Sequence, residues 1–203
     1  MFLLALFFSC TNEDKENQRI LDAACEQIMG TYKFEDAVLV NPMSLDIDGD
    51  GICNTDIMKE YMGLRICRNR LNKEVMRVRK ASSFDTIEES QMSIPMQNIT
   101  YYETANMYEG TDGETIFVPF AYSITKEGDI ELKIADKLDI KKDFGGILRS
   151  YDFSFAKTQS IDMPAPGLIT IRMECGFYDF ASKAMVVCPV EFRYERISYS
   201  TGS

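Results

Sequence analysis

The chain contains no histidine and no tryptophan. Without an imidazole, serine, cysteine or metal chemistry that leans on histidine is excluded, which removes many enzyme classes at once. Positive charge is in deficit as well: 22 Lys and Arg against 32 Asp and Glu give a formal charge of −10. A polyanion would meet the field of the whole molecule, so nucleic acid is not an expected partner. Long apolar runs are missing too. The longest, Met1-Phe2-Leu3-Leu4-Ala5-Leu6-Phe7-Phe8, falls well short of the roughly 20 residues that a helix needs to cross about 30 Å of hydrocarbon. No internal repeat, low-complexity tract or interdomain linker breaks up the rest. What remains is 203 residues, 45% apolar and 27% charged, enough for one domain with a core.

The short apolar run reads as the h-region of a signal peptide covering residues 1–9. Leu6-Phe7-Phe8-Ser9-Cys10 resembles a bacterial lipobox, in which the cysteine is acylated on sulfur and becomes the new N-terminus. A basic n-region is missing from it. The competing reading is an apolar N-terminal strand with a buried cysteine. Glu13 and Asp14, directly behind Cys10, look like the acidic export signal of surface lipoproteins in Bacteroidetes. Asp85-Thr86-Ile87 fits the O-glycosylation pattern of the same group, with Thr86 as acceptor. These readings place the protein on the outer membrane, lipid-anchored through Cys10 and facing the cell surface.

In that oxidising compartment, setting Cys10 aside leaves Cys25, Cys53, Cys67, Cys175 and Cys188, an odd number. Two alternating segments flank a turn near Ala181-Ser182, and Cys175 opposes Cys188 across it on the apolar face. A bridge is sterically possible there; two buried thiols acting as small hydrophobes are the alternative. Cys53 with Cys67 would close a helix onto its preceding loop and leave Cys25 unpaired, although Cys25 with either remains open.

Periodicity predicts a helix over Glu13 to Met29, with Ile20, Leu21, Ala24, Cys25 and Ile28 as its stripe. From Gly30 the period becomes two, with Tyr32, Phe34, Val38 and Val40 on one face. Asp56 to Ile66 returns to helical spacing, its stripe Ile57, Tyr61 and Leu64, with Asn54 or Thr55 available as cap. Seven further strands are expected: Glu74 to Lys80, Met92 to Glu103, Glu114 to Thr125, Ile130 to Ile134, Ile147 to Phe155, Ile169 to Phe177 and Val186 to Tyr194. The fold class is mainly β: eight antiparallel strands in an up-and-down barrel, or two packed sheets, with an N-terminal helix and a short helix after the first strand. The tether and first helix occupy 10–29, the barrel 30–198 and a tail 199–203.

Asp46-Ile47-Asp48-Gly49-Asp50-Gly51 matches the first half of a calcium loop. Carboxylates at alternate positions converge on a hard cation, and the glycine lets the next carbonyl, that of Ile52, turn inward. Position twelve is Ile57 instead of glutamate, but Asp56 and Glu60 share a helix face four residues apart and can close the shell. A solvated acidic turn is the bland alternative. The ion would be structural, since its protein ligands are all spent on caging it.

Gly30-Thr31-Tyr32, the acidic loop, Thr55-Asp56-Ile57-Met58-Lys59-Glu60 with Cys67, and the closing Phe192-Arg193-Tyr194-Glu195-Arg196 together resemble the lipocalin-like lipoproteins of Bacteroidetes. Tyr32 stands where lipocalins usually keep a tryptophan, and the acidic loop with its helix is an insertion. The resemblance implies a calycin-type barrel, a lipid anchor and a role in binding or envelope interaction. The leading expectation is a non-enzymatic binding protein whose barrel interior or mouth takes a small apolar or amphipathic ligand. The alternative is a solid barrel that docks an envelope protein or glycan. An enzyme would need a carboxylate pair across a cleft, and no spacing singles one out.

Overall fold

The computed structural model describes residues 4–64, 74–102, 107–134, 141–144, 147–150 and 156–199, with side chains over 13–64, 76–99, 116–134 and 157–199 and at 110 and 113. A helix, α1 (Leu4–Ile28), leads into β1 (Gly30–Leu39), the acidic loop and α2 (Ile57–Gly63). Then follow β2 (Glu74–Val78), β3 (Glu88–Tyr102), β4 (Met107–Ile124), β5 (Ile130–Ile134), β6 (Lys141–Phe144), β7 (Ile147–Ser150), β8 (Ala156–Ala165), β9 (Leu168–Asp179) and β10 (Ala184–Ser198). Eight strands form one antiparallel sheet in the order β5-β4-β3-β2-β1-β10-β9-β8, and β6 pairs only with β7. Chain neighbours are sheet neighbours and β1 zips to β10, so the sheet curls into a nearly closed up-and-down barrel. Its seam lies between β5 and β8, which run side by side without a ladder among the described residues.

The expected count of eight holds, but its membership differs. Residues 147–150 belong to the separate β6–β7 hairpin, and 151–155 lie outside the described residues. The missing barrel strand is β8, Ala-Lys-Thr-Gln-Ser-Ile-Asp-Met-Pro-Ala, whose polar composition carries no clear period of two. It forms because β9 offers a ladder, and it stays an edge: its register slips between Thr158 and Ser160 and again between Asp162 and Ala165.

In β1 the expected face of Tyr32, Phe34, Val38 and Val40 does not persist. An extra residue between the Phe34–Tyr194 and Asp36–Arg193 pairs reverses the alternation. Tyr32, Phe34, Ala37 and Leu39 therefore point into the core, while Val38 is exposed and Val40 half-buried.

Among the described residues the barrel interior is filled at its centre. A void large enough for one water would expose the side chains around it, yet Met92, Ile94, Ile116, Val118, Ile171, Met173, Phe177, Val190 and Phe192 are all 0% exposed. Buried tyrosines bring a polar tip that must be satisfied, and each named here finds a carbonyl: Tyr32 donates to Ile28 O at 2.6 Å, Tyr194 to Ser93 O at 3.1 Å and Tyr122 to Arg79 O. Phe34 packs against Phe192 and Tyr194, with ring centroids 6.3 and 5.7 Å apart.

The last turns of α1 close one end of the barrel through Leu21, Ala24, Cys25 and Ile28. Its orphan carbonyls receive Arg196, whose Nη1 donates to Glu26 O at 2.7 Å and to Gln27 O and Met29 O at 3.1 Å. This helix starts nine residues earlier than periodicity predicts and runs through Cys10. No helix among the described residues is long and apolar enough to cross a membrane.

Cys175 and Cys188 sit opposite each other on β9 and β10, the register expected from the hairpin. The expected bridge is not formed: both are buried free thiols, as are Cys25, also buried, and Cys53, which is exposed. Opposed Cα atoms bring two sulfurs near one another without fixing the side-chain torsions that a bridge needs, and here both thiols pack as small hydrophobes. Burial pushes the Cys188 thiol up to about 11, and burial with the neighbouring Cys188 also raises that of Cys175. The Cys53–Cys67 alternative fails on the side that is visible, since Cys53 is free; Cys67 lies outside the described residues.

Candidate metal centre

The acidic loop sits at the end of the barrel opposite α1, beside the β9–β10 turn. Leu45 and Asn54 pair across its neck, with Leu45 N to Asn54 O at 3.0 Å and Asn54 N to Leu45 O at 2.9 Å. Inside the neck, each aspartate bends the chain that follows it. Asp46 Oδ1 and Oδ2 accept from Gly49 N at 2.9 Å and Gly51 N at 3.1 Å. Asp48 Oδ1 accepts from Asp50 N at 3.1 Å, and Asp50 Oδ1 from Ile52 N at 2.7 Å. Gly49 and Gly51 take φ of 77° and 85°, the left-handed region that a side chain would strain. The outcome is that Asp46, Asp48 and Asp50 each present a carboxylate oxygen within 4.8 Å of the others. Asp46 is buried, Asp48 half-buried and Asp50 exposed, a graded opening toward solvent.

The group can hold a metal ion. An ionised carboxylate has about four lone-pair positions, so the backbone bonds leave acceptor capacity on all three residues. Desolvation, with Asp50 and Asp46 adding repulsion, raises the Asp48 carboxyl above its usual value. A cation would relieve that repulsion directly.

The other expected ligands stand elsewhere. Asp56 caps α2, its Oδ1 accepting from Met58 N at 3.0 Å, the role expected of Asn54 or Thr55. Glu60 is only 1% exposed and reaches back under the loop, where Oε2 accepts from Ile47 N at 2.6 Å and Asp48 N at 3.3 Å, and Oε1 from Asn54 Nδ2 at 2.5 Å. Desolvation raises its carboxyl as well. Glu60 thus staples the loop backbone from α2 and is not among the three clustered carboxylates. Ile52 is exposed, and its carbonyl accepts from Asn54 Nδ2 at 3.3 Å.

Two residues hold the loop to the barrel that no local pattern singles out. Asp179, at the end of β9, accepts from Asp46 N at 2.9 Å and Ser182 N at 3.0 Å. Desolvation opposes its charge, yet these bonds together keep its carboxyl below the usual value. Gln97 of β3, buried, donates Nε2 to Ile47 O at 2.7 Å and Tyr178 O at 3.1 Å while Oε1 accepts from Tyr178 N at 2.7 Å. Gly63, at the end of α2, leaves the space into which Asp48 projects; a β-carbon there would fall on the Asp48 carboxylate. Partners 50 to 133 residues away cannot be read from a loop motif.

Thr86 lies half-buried in the β2–β3 connection, its hydroxyl 2.6 Å from that of Ser83, beside Asp85 at φ 57°. The side chain of Cys10 lies outside the described residues. Compared with protein-family models, with curated proteins and with solved structures, the chain matches none of them.

Proposed function

We propose that the protein is a non-enzymatic lipoprotein, tethered to the outer membrane through Cys10, whose solid lipocalin-like barrel serves as a scaffold for docking an envelope protein or glycan. The filled interior carries this reading. Among the described residues the inward side chains of the central strands are almost all buried and leave no room between them for the apolar ligand that a hollow barrel would take, so recognition falls to the outer face and the loops. Outward apolar positions support it: Val38 on β1 and Val187 on β10 are exposed, and Val40 N bonds Pro189 O between them at 3.0 Å.

Calcium at Asp46, Asp48 and Asp50 is the second element of the proposal. Three carboxylates with backbone carbonyl and water oxygens suit a hard cation that accepts six to eight oxygen ligands at flexible geometry. The ion is structural: it fixes the loop that Glu60, Gln97 and Asp179 already orient. Surface exposure of the anchored chain would also make Thr86 available for glycosylation.

Fractionation, protease accessibility and native mass spectrometry in the host test the reading. Cys10→Ala should move the chain from the membrane to the soluble fraction, and protease added to whole cells should remove the wild type. Native mass spectrometry should then reveal a protein or glycan companion. A co-purified small molecule whose extraction shifts the methyl resonances of Ile94, Ile171 and Val190 would contradict the solid barrel.

A further inference from the structure

The barrel grips α1 only from Ile20 onward. Ile20 packs against the β4–β5 turn, where a β-carbon on Gly128 would come within 3.0 Å of its Cγ2. Asp22 pairs with Lys80 at 2.6 Å, and the Cys25 thiol donates to Ala81 O. Gly167 N, in the β8–β9 turn, joins Arg196 on the closing carbonyls by donating to Gln27 O at 2.9 Å. The β2–β3, β4–β5 and β8–β9 connections together with β10 thus clamp the last turns of the helix. Ahead of them, Glu13, Asp14, Lys15, Glu16, Asn17, Gln18 and Arg19 are exposed one after another. At about 100° per residue such a run faces every direction, so no side of it is covered by the barrel. The helix nevertheless continues through this run and back past Cys10. No glycine or proline interrupts Leu4–Ile28, and Glu16 with Arg19 at 3.6 Å and Gln18 with Asp22 at 2.8 Å bridge successive turns.

We propose that the polar half of α1 is a rigid strut that fixes the orientation of the barrel on the surface to which Cys10 is anchored, an inference that rests on the lipid anchor proposed above. Reach alone would not need a helix. From Cys10 to Ile20 a helix spans roughly 15 Å, and a flexible linker of the same length averages roughly 17 Å. What the helix adds is direction: a coil lets the barrel roll against the bilayer, whereas a helix clamped at its far end carries it as one body. The charges suit a helix that begins at the anchor. Once cleavage makes Cys10 the N-terminus, Glu13 and Asp14 lie in the N-terminal turn, where carboxylates complement the dipole. At the other end Arg196 supplies the cation that the last turn of α1 lacks. The clamped end closes the barrel opposite the acidic loop, so the strut keeps that loop at the end away from the anchor.

Magnetic resonance on the full chain in solution tests the strut. Residues 13–19 should show helical Cα shifts, and their N–H dipolar couplings in an aligned medium should fit the alignment of the barrel strands. Asn17→Pro should make the helix begin at residue 17, since proline is tolerated in a first turn, and so abolish the helical shifts of 13–16 while those of 20–28 stay. Because the segment packs against nothing, the unfolding midpoint should remain within about 2 °C of wild type. Acylated protein in phosphatidylcholine vesicles, labelled at the exposed Cys53, tests the orientation. Energy transfer from that label to an acceptor lipid should give one narrow distance distribution in wild type, broadened several-fold by Asn17→Pro. Random-coil shifts or averaged couplings over 13–19, a midpoint lowered as far as by Arg196→Ala, or a wild-type distribution as broad as the variant's would overturn the proposal. Wild-type protein found soluble in its host would instead refute the anchor, whatever the couplings show.

Discussion

Gln97→Ala isolates the connection between the acidic loop and the barrel. The substitution removes two donated bonds, to Ile47 O and Tyr178 O, and one accepted from Tyr178 N, all on a side chain that is 4% exposed. Intramolecular hydrogen bonds contribute about 1 kcal/mol each on balance, so the loss should be about 3 kcal/mol, and larger if no water reaches the stranded groups. For a domain of this size about 2–4 °C accompany each kcal/mol, which gives a fall in Tm of about 6–12 °C. Calorimetry and urea unfolding would read it, with Gln91→Ala on the exposed face of the same strand expected to stay within about 0.5 kcal/mol of wild type. Gln97→Glu keeps an acceptor but loses both donors, so it should not rescue. A Gln97→Ala variant as stable as Gln91→Ala would refute the claim that this amide fastens the loop.

Three other outcomes follow from the same geometry. Partial desolvation, then the carboxylates of Asp179, Asp46, Glu60 and Asp50, push the exposed Cys53 thiol up, so little thiolate forms at pH 8. Calcium in the loop should offset those charges, lower the thiol pKa and speed Cys53 alkylation at fixed pH, as followed by peptide mapping; a rate unchanged by calcium would contradict the placement of the ion. Arg196→Ala withdraws three charge-assisted bonds from the end of α1 and should cost about 2–3 kcal/mol, with hydrogen-exchange protection lost first in residues 20–28. Val38→Asp should be tolerated within about 0.5 kcal/mol whereas Leu39→Asp should unfold the domain, because the β1 bulge sets which of the two faces the core.

Much of the barrel is legible because its central strands alternate without interruption. Ile116, Val118, Phe120, Tyr122 and Ile124 all turn inward, as do Cys188, Val190, Phe192 and Tyr194, and both sets read directly as one face. The failures fall where tertiary pairing overrides local pattern. β8 has too few apolar residues to announce a strand and is recruited by β9, and one inserted residue in β1 reverses a face that periodicity assigns the other way. In the loop, Asp46, Asp48 and Asp50 come together as alternate spacing demands. The roles of Asp56 and Glu60 are decided by α2: a carboxylate just before a helix caps it, and one turn further in it reaches the loop backbone before it reaches the cluster. Asp179 and Gln97 arrive from β9 and β3, so no local reading could supply them.

Asp46, Asp48 and Asp50 are the proposed calcium ligands, and Asp56 stands apart from them as the cap of α2. The direct measurement is the unfolding midpoint with chelator and with calcium, for wild type, Asp48→Asn and Asp56→Asn. At a calcium concentration of about a hundred times Kd the linkage amounts to about 2.7 kcal/mol, or roughly 5–10 °C for a chain of this length. Wild type and Asp56→Asn should both show that rise from nearly the same baseline, because an asparagine amide oxygen still accepts from Met58 N and keeps the cap of α2, and Asp48→Asn should show none. Identical midpoints with chelator and with millimolar calcium in wild type would contradict the claim.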